Sequence, residues 1–380
     1  MTYLLLILLI ILFTIILIRR NNPNINTEYF ANNKNLTYYK CKERDLGKIT
    51  KSIFDINNIG FSYNNWDLYI PCGYNNVEEE LKKILVKTNL QDKYIFGING
   101  CDDIVSKNKI WESLVKCFGR KDASTLMPES YVLSDLNEME LFRKDFNPSS
   151  NYIYILKKNI QRKEGLKLTR DYFDIIDAKN ESYRVVQRYI TDLYLINQRK
   201  VNLRIYLLII IRDNTVYFYL CDEGKCIYTN KKYNDDDLDF ESNITSYHLD
   251  MGVYKNNPRD FKQLIQYINE NNMSGEYLFD GINNLMKNVC TCLSASVFQS
   301  KNIAGTITFQ LFGADVIFDN QLHPYLLEMN KGPDMSARDD IDEKMKNKVQ
   351  TDMFKTVGLL ENGSDNSFYL IYKSLIDWKR

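Results

Sequence analysis

Val201–Ile211 is almost wholly β-branched, aliphatic or aromatic, and after a short polar break the same character returns at Val216–Leu220. Such side chains lose rotamer freedom against a preceding helical turn and favour extended backbone. Two runs this close in sequence predict neighbouring antiparallel strands. Further runs at Tyr152–Lys157 and Arg184–Ile190, and a hairpin of Gln310–Phe318 and Tyr325–Met329 around Asp319-Asn320-Gln321, widen the expectation to a largely antiparallel sheet. Nearer the N-terminus, Leu68-Tyr69-Ile70 and Tyr94-Ile95-Phe96 bracket the amphipathic stretch Val77–Leu85, a β-α-β beginning. Helical spacing recurs at Ile110–Phe118, stopped by Gly119, at Phe261–Asn269 and at Gly281–Phe298. The fold class is therefore mixed, α+β, without internal repeats.

A chain of 380 residues has room for roughly two to three domains. Its 49 Lys+Arg balance 49 Asp+Glu, so no bulk positive charge calls for a nucleic-acid partner. Eight scattered Cys make no CxxC pair, which predicts reduced thiols, with Cys290 and Cys292 as packed side chains. The chain has only two His, His248 and His323, which removes three-histidine metal sites and most His-based hydrolases.

Tyr3–Ile18 is apolar apart from Thr14 and is followed by Arg19-Arg20. At 1.5 Å per residue this run covers about 24 Å of a roughly 30 Å hydrocarbon core, and it has no small-residue cleavage step. It predicts a retained transmembrane anchor over residues 1–20, with the membrane as a partner. The flanking cations predict a single-pass orientation with the rest of the chain facing the cytoplasm. Residues 21–60, Asn-rich at their start, are assigned to a tether.

The residue pattern richest in chemistry lies in the hairpin. Glu328 and Asn330 share a face by period-two alternation, and Asp315 sits on the partner strand. Two carboxylates and an amide oxygen suit Mg²⁺, which prefers hard oxygen ligands; the same residues could equally form the wet face of a hairpin. Both acids adjoin apolar strand sequence, where an unpaired charge is costly. A cationic counterpart stands in Lys157, at the end of a strand, and in Lys200 and Arg204, which flank Asn202 on one strand face. A positive row opposite a metal site is what a nucleoside triphosphate requires, though it could also be a solvated basic edge. No Walker A loop, kinase glycine loop, HRD or DFG is present.

Several separated motifs together resemble the tubulin-tyrosine ligase family, whose members have an ATP-grasp fold. They are Trp66-Asp67-Leu68-Tyr69-Ile70-Pro71, Ser106-Lys107-Asn108-Lys109-Ile110-Trp111, Pro128-Glu129-Ser130-Tyr131-Val132-Leu133 and Tyr154-Ile155-Leu156-Lys157. Val185-Val186-Gln187-Arg188-Tyr189-Ile190, Lys200-Val201-Asn202-Leu203-Arg204-Ile205-Tyr206, Phe312-Gly313-Ala314-Asp315 and Leu327-Glu328-Met329-Asn330 follow in family order. The resemblance implies N-terminal (61–150), central (151–240) and C-terminal (241–380) subdomains. It implies that Lys107 and Lys157 reach the nucleotide phosphates, and that the backbone of Gln187, Arg188, Tyr189 and Ile190 meets adenine. Lys200 and Asn202 would line the nucleotide pocket, Arg204 would stabilise the reacting carboxyl phosphate, and Asp315, Glu328 and Asn330 would hold Mg²⁺. The implied activity is ATP-dependent ligation of a free amino acid, Glu before Tyr or Gly, to tubulin or another protein acceptor. Non-catalytic nucleotide or microtubule binding, and ligation to a small peptide, are the alternatives. The chain departs from the family at Asn202, where many members carry Asp, at Ile227, where they carry Arg, and at Ser246, where they carry Asn.

Overall fold

The computed structural model describes residues 35–73, 77–85, 92–98, 101–160, 165–245, 249–297 and 306–375. Its strands, in chain order, are β1 (Thr37–Lys40), β2 (Gly60–Phe61), β3 (Leu68–Ile70), β4 (Tyr94–Ile95), β5 (Ser130–Val132), β6 (Tyr154–Lys157) and β7 (Leu166–Thr169). They continue as β8 (Val185–Arg188), β9 (Val201–Arg212), β10 (Thr215–Tyr228), β11 (Ile307–Phe318), β12 (Pro324–Asn330) and β13 (Phe368–Leu375). The fold is mixed α/β. One sheet runs β13-β10-β9-β11-β4-β3-β1-β2 with β12 paired to β11, and a smaller antiparallel sheet runs β5-β8-β6-β7.

β9 is the middle of the large sheet and is covered on both sides. Leu203, Ile205, Leu207 and Ile209 enter a core shared with the helices Lys107–Phe118, Phe261–Glu270 and Gly275–Leu293. Tyr206, Leu208 and Ile210 enter a second core under the helices Lys48–Ile56 and Asp340–Val357. Alternate side chains of one strand thus serve opposite layers, which is why the run is apolar without interruption. Asp213 and Asn214 form the tight β9–β10 turn with φ of 50° and 60°, the left-handed pair that a two-residue hairpin needs.

β10 extends to Tyr228, beyond the expected end at Leu220, because a register shift between Leu220 and Gly224 interrupts its alternation without ending its pairing. The helix Asp340–Val357 is hidden in the sequence because Asp342, Lys346, Gln350 and Asp352 are buried beside Met345, Val349 and Met353, which blurs its apolar stripe. Its ends are well marked: Asp339 accepts the Asp342 N–H at 2.9 Å, and Gly358 closes it at φ 93°. Thr37–Lys40 and Lys48–Ile56, inside the stretch assigned to a tether, form a strand and a helix.

Two expectations change. Cys41 pairs with Cys72 and Cys117 with Cys292, with Cα separations of 4.8 and 5.9 Å, while Cys101, Cys221, Cys226 and Cys290 are buried thiols. Partners 31 and 175 residues apart are brought together by tertiary structure, which no spacing rule reveals. The assignment as a single-pass membrane protein with a cytoplasm-facing domain and a membrane partner is overturned: among the described residues no helix is long and apolar enough to cross a membrane. The apolar run over residues 3–18, on which the transmembrane anchor rested, lies outside the described residues.

Candidate active site

The site forms where the open end of the β9 row meets the tip of the small sheet. Strand register places Glu328 of β12 opposite Asp315 of β11, Asp315 opposite Arg204 of β9, and Asn330 opposite Gly313. The two carboxylates therefore stand side by side on one sheet face, with Asn330 one pleat further on. Asn330 Nδ2 donates to Glu328 Oε1 at 3.2 Å. Arg204 grips Asp315 with both arms of its fork: Nε donates to Oδ1, and Nη2 donates to Oδ2 at 2.9 Å. Gly313 permits this, since a Cβ there would lie 2.9 Å from Arg204 Cδ and 3.2 Å from Pro333 Cβ.

Two lysines arrive from other elements. Lys107, the first residue of its helix, brings Nζ to 3.4 Å from Glu328 Oε2 and donates to the Ile160 carbonyl at 3.2 Å. Lys157, the last residue of β6, donates across to the Leu327 carbonyl at 3.3 Å. Burial raises the Asp315 carboxyl above its ordinary value, with Glu328 adding to the effect and Arg204 opposing it. Burial also acts on Glu328, but Lys107 and Lys157 draw that carboxyl below its ordinary value. Unequal neighbours thus split two adjacent acids.

Lys200 is 4% exposed; its Nζ donates to Tyr189 Oη at 2.9 Å and to the Asn243 carbonyl at 3.0 Å, and it lies 4.3 Å from the Tyr189 ring centre. Tyr189 Oη in turn donates to the Asn243 carbonyl at 2.7 Å. Asn202 Nδ2 donates to Thr245 Oγ1 at 3.1 Å, and its buried Oδ1 has no hydrogen-bond partner among the described residues. Burial, with Lys157 nearby, lowers Lys200 from 10.5 to about 7, and burial likewise lowers Lys157 to about 8.

The expected residues do not all converge. Lys107, Lys157, Arg204, Asp315, Glu328 and Asn330 form one cluster, with Lys200 and Asn202 beside it on the face of β9. Gln187 turns inward, where Nε2 donates to Ser130 Oγ at 2.9 Å and to the Pro128 carbonyl at 3.2 Å. Arg188 and Tyr189 give their N–H groups to the Glu129 and Ile153 carbonyls, and the Arg188 guanidinium stacks 3.4 Å above the Tyr152 ring centre. Ile190 directly follows this segment and is half-buried. Ile227 stands opposite Asn202 in the β9–β10 ladder. Ser246 and His248 lie outside the described residues, and His323 Nε2 pairs with the Thr125 carbonyl at 2.8 Å, away from the cluster. Asn243 and Thr245 complete the second half of the pocket. In sequence they belong to Asn243-Ile244-Thr245-Ser246, a stretch that resembles a family motif, but their contacts with Lys200 and Asn202 depend on a loop folding back onto β9.

Three cations, Lys107, Lys157 and Arg204, surround two carboxylates, and Lys200 beside Lys157 can take up a further proton. The surplus positive charge, held on buried groups, fits a polyanion such as a triphosphate, and the orphaned Asn202 oxygen fits a hydroxyl donor such as a ribose. Paired carboxylates with an amide beside them fit a hard divalent cation.

Lys200 gives a pH signature. Below about 7 it is cationic in the folded chain and its burial cost is fully felt. Between about 7 and 10.5 the unfolded chain binds the extra proton, so stability should rise with pH across that window. An anion bound beside Lys200 restores its proton. Calorimetry near pH 8.5, in buffers of different ionisation heat, should therefore show proton uptake on nucleotide binding, reduced in Lys200→Met.

The model of the tubulin-tyrosine ligase family matches residues 88–366. A tubulin monoglutamylase of Homo sapiens is 23% identical over 290 residues, covering 70% of this chain and 23% of the relative. A tubulin polyglutamylase of Mus musculus is 25% identical over 320 residues, 77% of this chain and 24% of the relative. A tubulin glycylase of Drosophila melanogaster is 24% identical over 238 residues, 58% of this chain and 31% of the relative. The chain thus spans less than a third of the length of these relatives. With the family match covering well over half of its residues, the chain belongs to the tubulin-tyrosine ligase family.

Proposed function

We propose that this chain is an ATP-dependent carboxylate–amine ligase of the ATP-grasp type that joins an amino acid to a protein carboxylate, with tubulin as the acceptor. The observation that carries the reading is the surplus of buried cations around the Asp315–Glu328 pair. Lys107 and Lys157 bind the phosphates, while Lys200 and Asn202 line the rest of the nucleotide pocket, with the backbone of Gln187–Ile190 beside the base. Asp315, Glu328 and Asn330 would hold Mg²⁺, which would supply charge shielding for the transferring phosphoryl group. Subdomains 61–150, 151–240 and 241–380 close around this pocket.

A carboxylate is a poor electrophile, and ATP cures that. A carboxylate oxygen of the acceptor attacks the γ-phosphorus, the bond to the β,γ-bridging oxygen breaks, and ADP leaves. Arg204 sits where charge on the resulting acyl phosphate needs a fixed donor. The amine of the incoming amino acid then attacks the acyl carbon, phosphate departs with the bonding electrons, and the ammonium proton passes to solvent. Glutamylases and a glycylase among the relatives support Glu or Gly over Tyr as the donor, and we take Glu. Non-catalytic binding is the second reading, favoured by the uncharged Ile227 facing Asn202.

The nucleotide is tested by thermal melts. ATP with Mg²⁺ at a hundred times its Kd should stabilise the fold by about 2.7 kcal/mol, and Lys157→Ala should shrink the shift. An unmoved melting curve and no binding heat with saturating ATP would remove the functional content of the assignment.

A further inference from the structure

Lys331 is a buried cation outside the set assigned to the phosphates and the metal. It follows Asn330 in the chain and is 4% exposed, yet its Nζ is paired with the carboxylate of Asp102, a side chain 54% exposed. For stability alone this is a poor choice. The buried ammonium loses its hydration, while a half-solvated partner returns little Coulomb energy, and an apolar side chain would fill the same place at lower cost.

The pair ties together two parts of the candidate site. Asp102 precedes the helix Lys107–Phe118, and its carbonyl accepts the Val105 and Ser106 N–H groups at 3.2 and 3.1 Å in the turn that leads into Lys107. A second tie runs through Gln310 of β11, which is fully buried. Its Nε2 donates to the Lys331 carbonyl at 2.7 Å, and its Oε1 accepts the Ile98 N–H at 3.2 Å. A carbonyl only accepts and a backbone N–H only donates, so this amide has one orientation. Lys331 is therefore held to the approach to the helix twice, once by its side chain and once by its backbone. Ile98, Cys101 and Ile104 are buried in the core on their own account, so this approach does not need the ion pair to stay folded. The ion pair instead fixes the start of the helix against the end of β12. Lys107 opens the helix, Glu328 and Asn330 stand on the strand, and Lys107 Nζ lies 3.4 Å from Glu328 Oε2.

We propose that Lys331, with Asp102, is a positioning residue: the pair holds Lys107 at the distance from Glu328 and Asn330 that a bound metal–triphosphate needs. It acts through Lys107 and does not touch the ligand. The identity of that ligand rests on the ligase reading.

The experiment is calorimetry with the full chain, Mg²⁺ and a non-hydrolysable ATP analogue, on wild type, Lys331→Met, Lys107→Met and the double variant. Lys331→Met should weaken the analogue about tenfold, within the range that misplacing a binding group costs. Its melting temperature should stay at the wild-type value, since the carboxylate it leaves behind is open to water. Adding Lys331→Met to Lys107→Met should weaken binding no further, because the group being positioned is already gone. Asp102→Asn should reproduce the loss of affinity but melt lower, since it strands a buried ammonium. Amide exchange at Val105–Ile110 should quicken in Lys331→Met and in Asp102→Asn. Unchanged affinity in folded Lys331→Met, a full additional loss in the double variant, or unchanged exchange at Val105–Ile110 each overturns the positioning role. Should Lys331→Met not fold, the same comparisons with Asp102→Asn decide. Failure of wild type to bind the analogue refutes the ligase reading instead, and the exchange rates then decide by themselves whether Lys331 holds the start of the helix.

Discussion

Arg204→Met should cost about 3 kcal/mol of stability, because it strips a buried carboxylate of a bidentate partner and leaves its desolvation uncompensated. Asp315 has only 13% of its side chain exposed, and burial already raises its carboxyl. Without the guanidinium its pKa rises further, so the loss should be largest at pH values where Asp315 must ionise and should shrink as pH falls and the acid becomes neutral. Urea unfolding of wild type and variant in mildly acidic and mildly alkaline buffer reads this directly. Adding Asp315→Asn to the variant should return part of the stability. Equal midpoints for wild type and Arg204→Met at alkaline pH would mean the pair contributes nothing to the folded state.

Glu328→Gln should lower turnover by about a hundredfold, on the order of 3 kcal/mol of transition-state stabilisation, while the chain stays folded. Gln keeps the size and one oxygen but not the charge that, on the proposed reading, would help hold Mg²⁺. A stability gain from relieved repulsion with Asp315 is not expected. Lys107 lies 3.4 Å from Glu328, and with Lys157 it holds that carboxyl below its ordinary value, so the ionised form is favoured in the fold. With a folded pKa below the unfolded one, the stabilisation from Glu328 is present above its unfolded pKa and is lost as pH falls through the folded value. Gln should therefore cost a little stability at neutral pH, and less in acid.

The sequence carried the site's core because strands write their geometry plainly. Lys200, Asn202 and Arg204 fall on one face of a strand by period two, and Asp315 and Glu328 stand out as charges in apolar runs. Lys331 was illegible for the opposite reason: it is paired with Asp102, 229 residues away in the chain. The Tyr189–Lys200–Asn243 chain of hydrogen bonds joins three segments that only tertiary folding unites. The helix Asp340–Val357 is not legible in the sequence because its buried face is part charged, with Asp342 paired to both Lys225 and Lys346. Gln187, Arg188 and Tyr189 stand out by motif, but the Gln187 side chain and the Arg188 and Tyr189 N–H groups are spent on the small sheet and its flanks.

The most direct measurement is intact-mass analysis of a glutamate-rich tubulin-tail peptide after incubation with the chain, ATP, Mg²⁺ and free Glu, with ADP measured alongside. The account predicts a mass increase of one or more glutamyl residues in step with ADP formation, and its near-complete loss in Glu328→Gln. An unchanged peptide with no ADP from wild type, or equal Mg²⁺-dependent rates from wild type and Glu328→Gln, would contradict it.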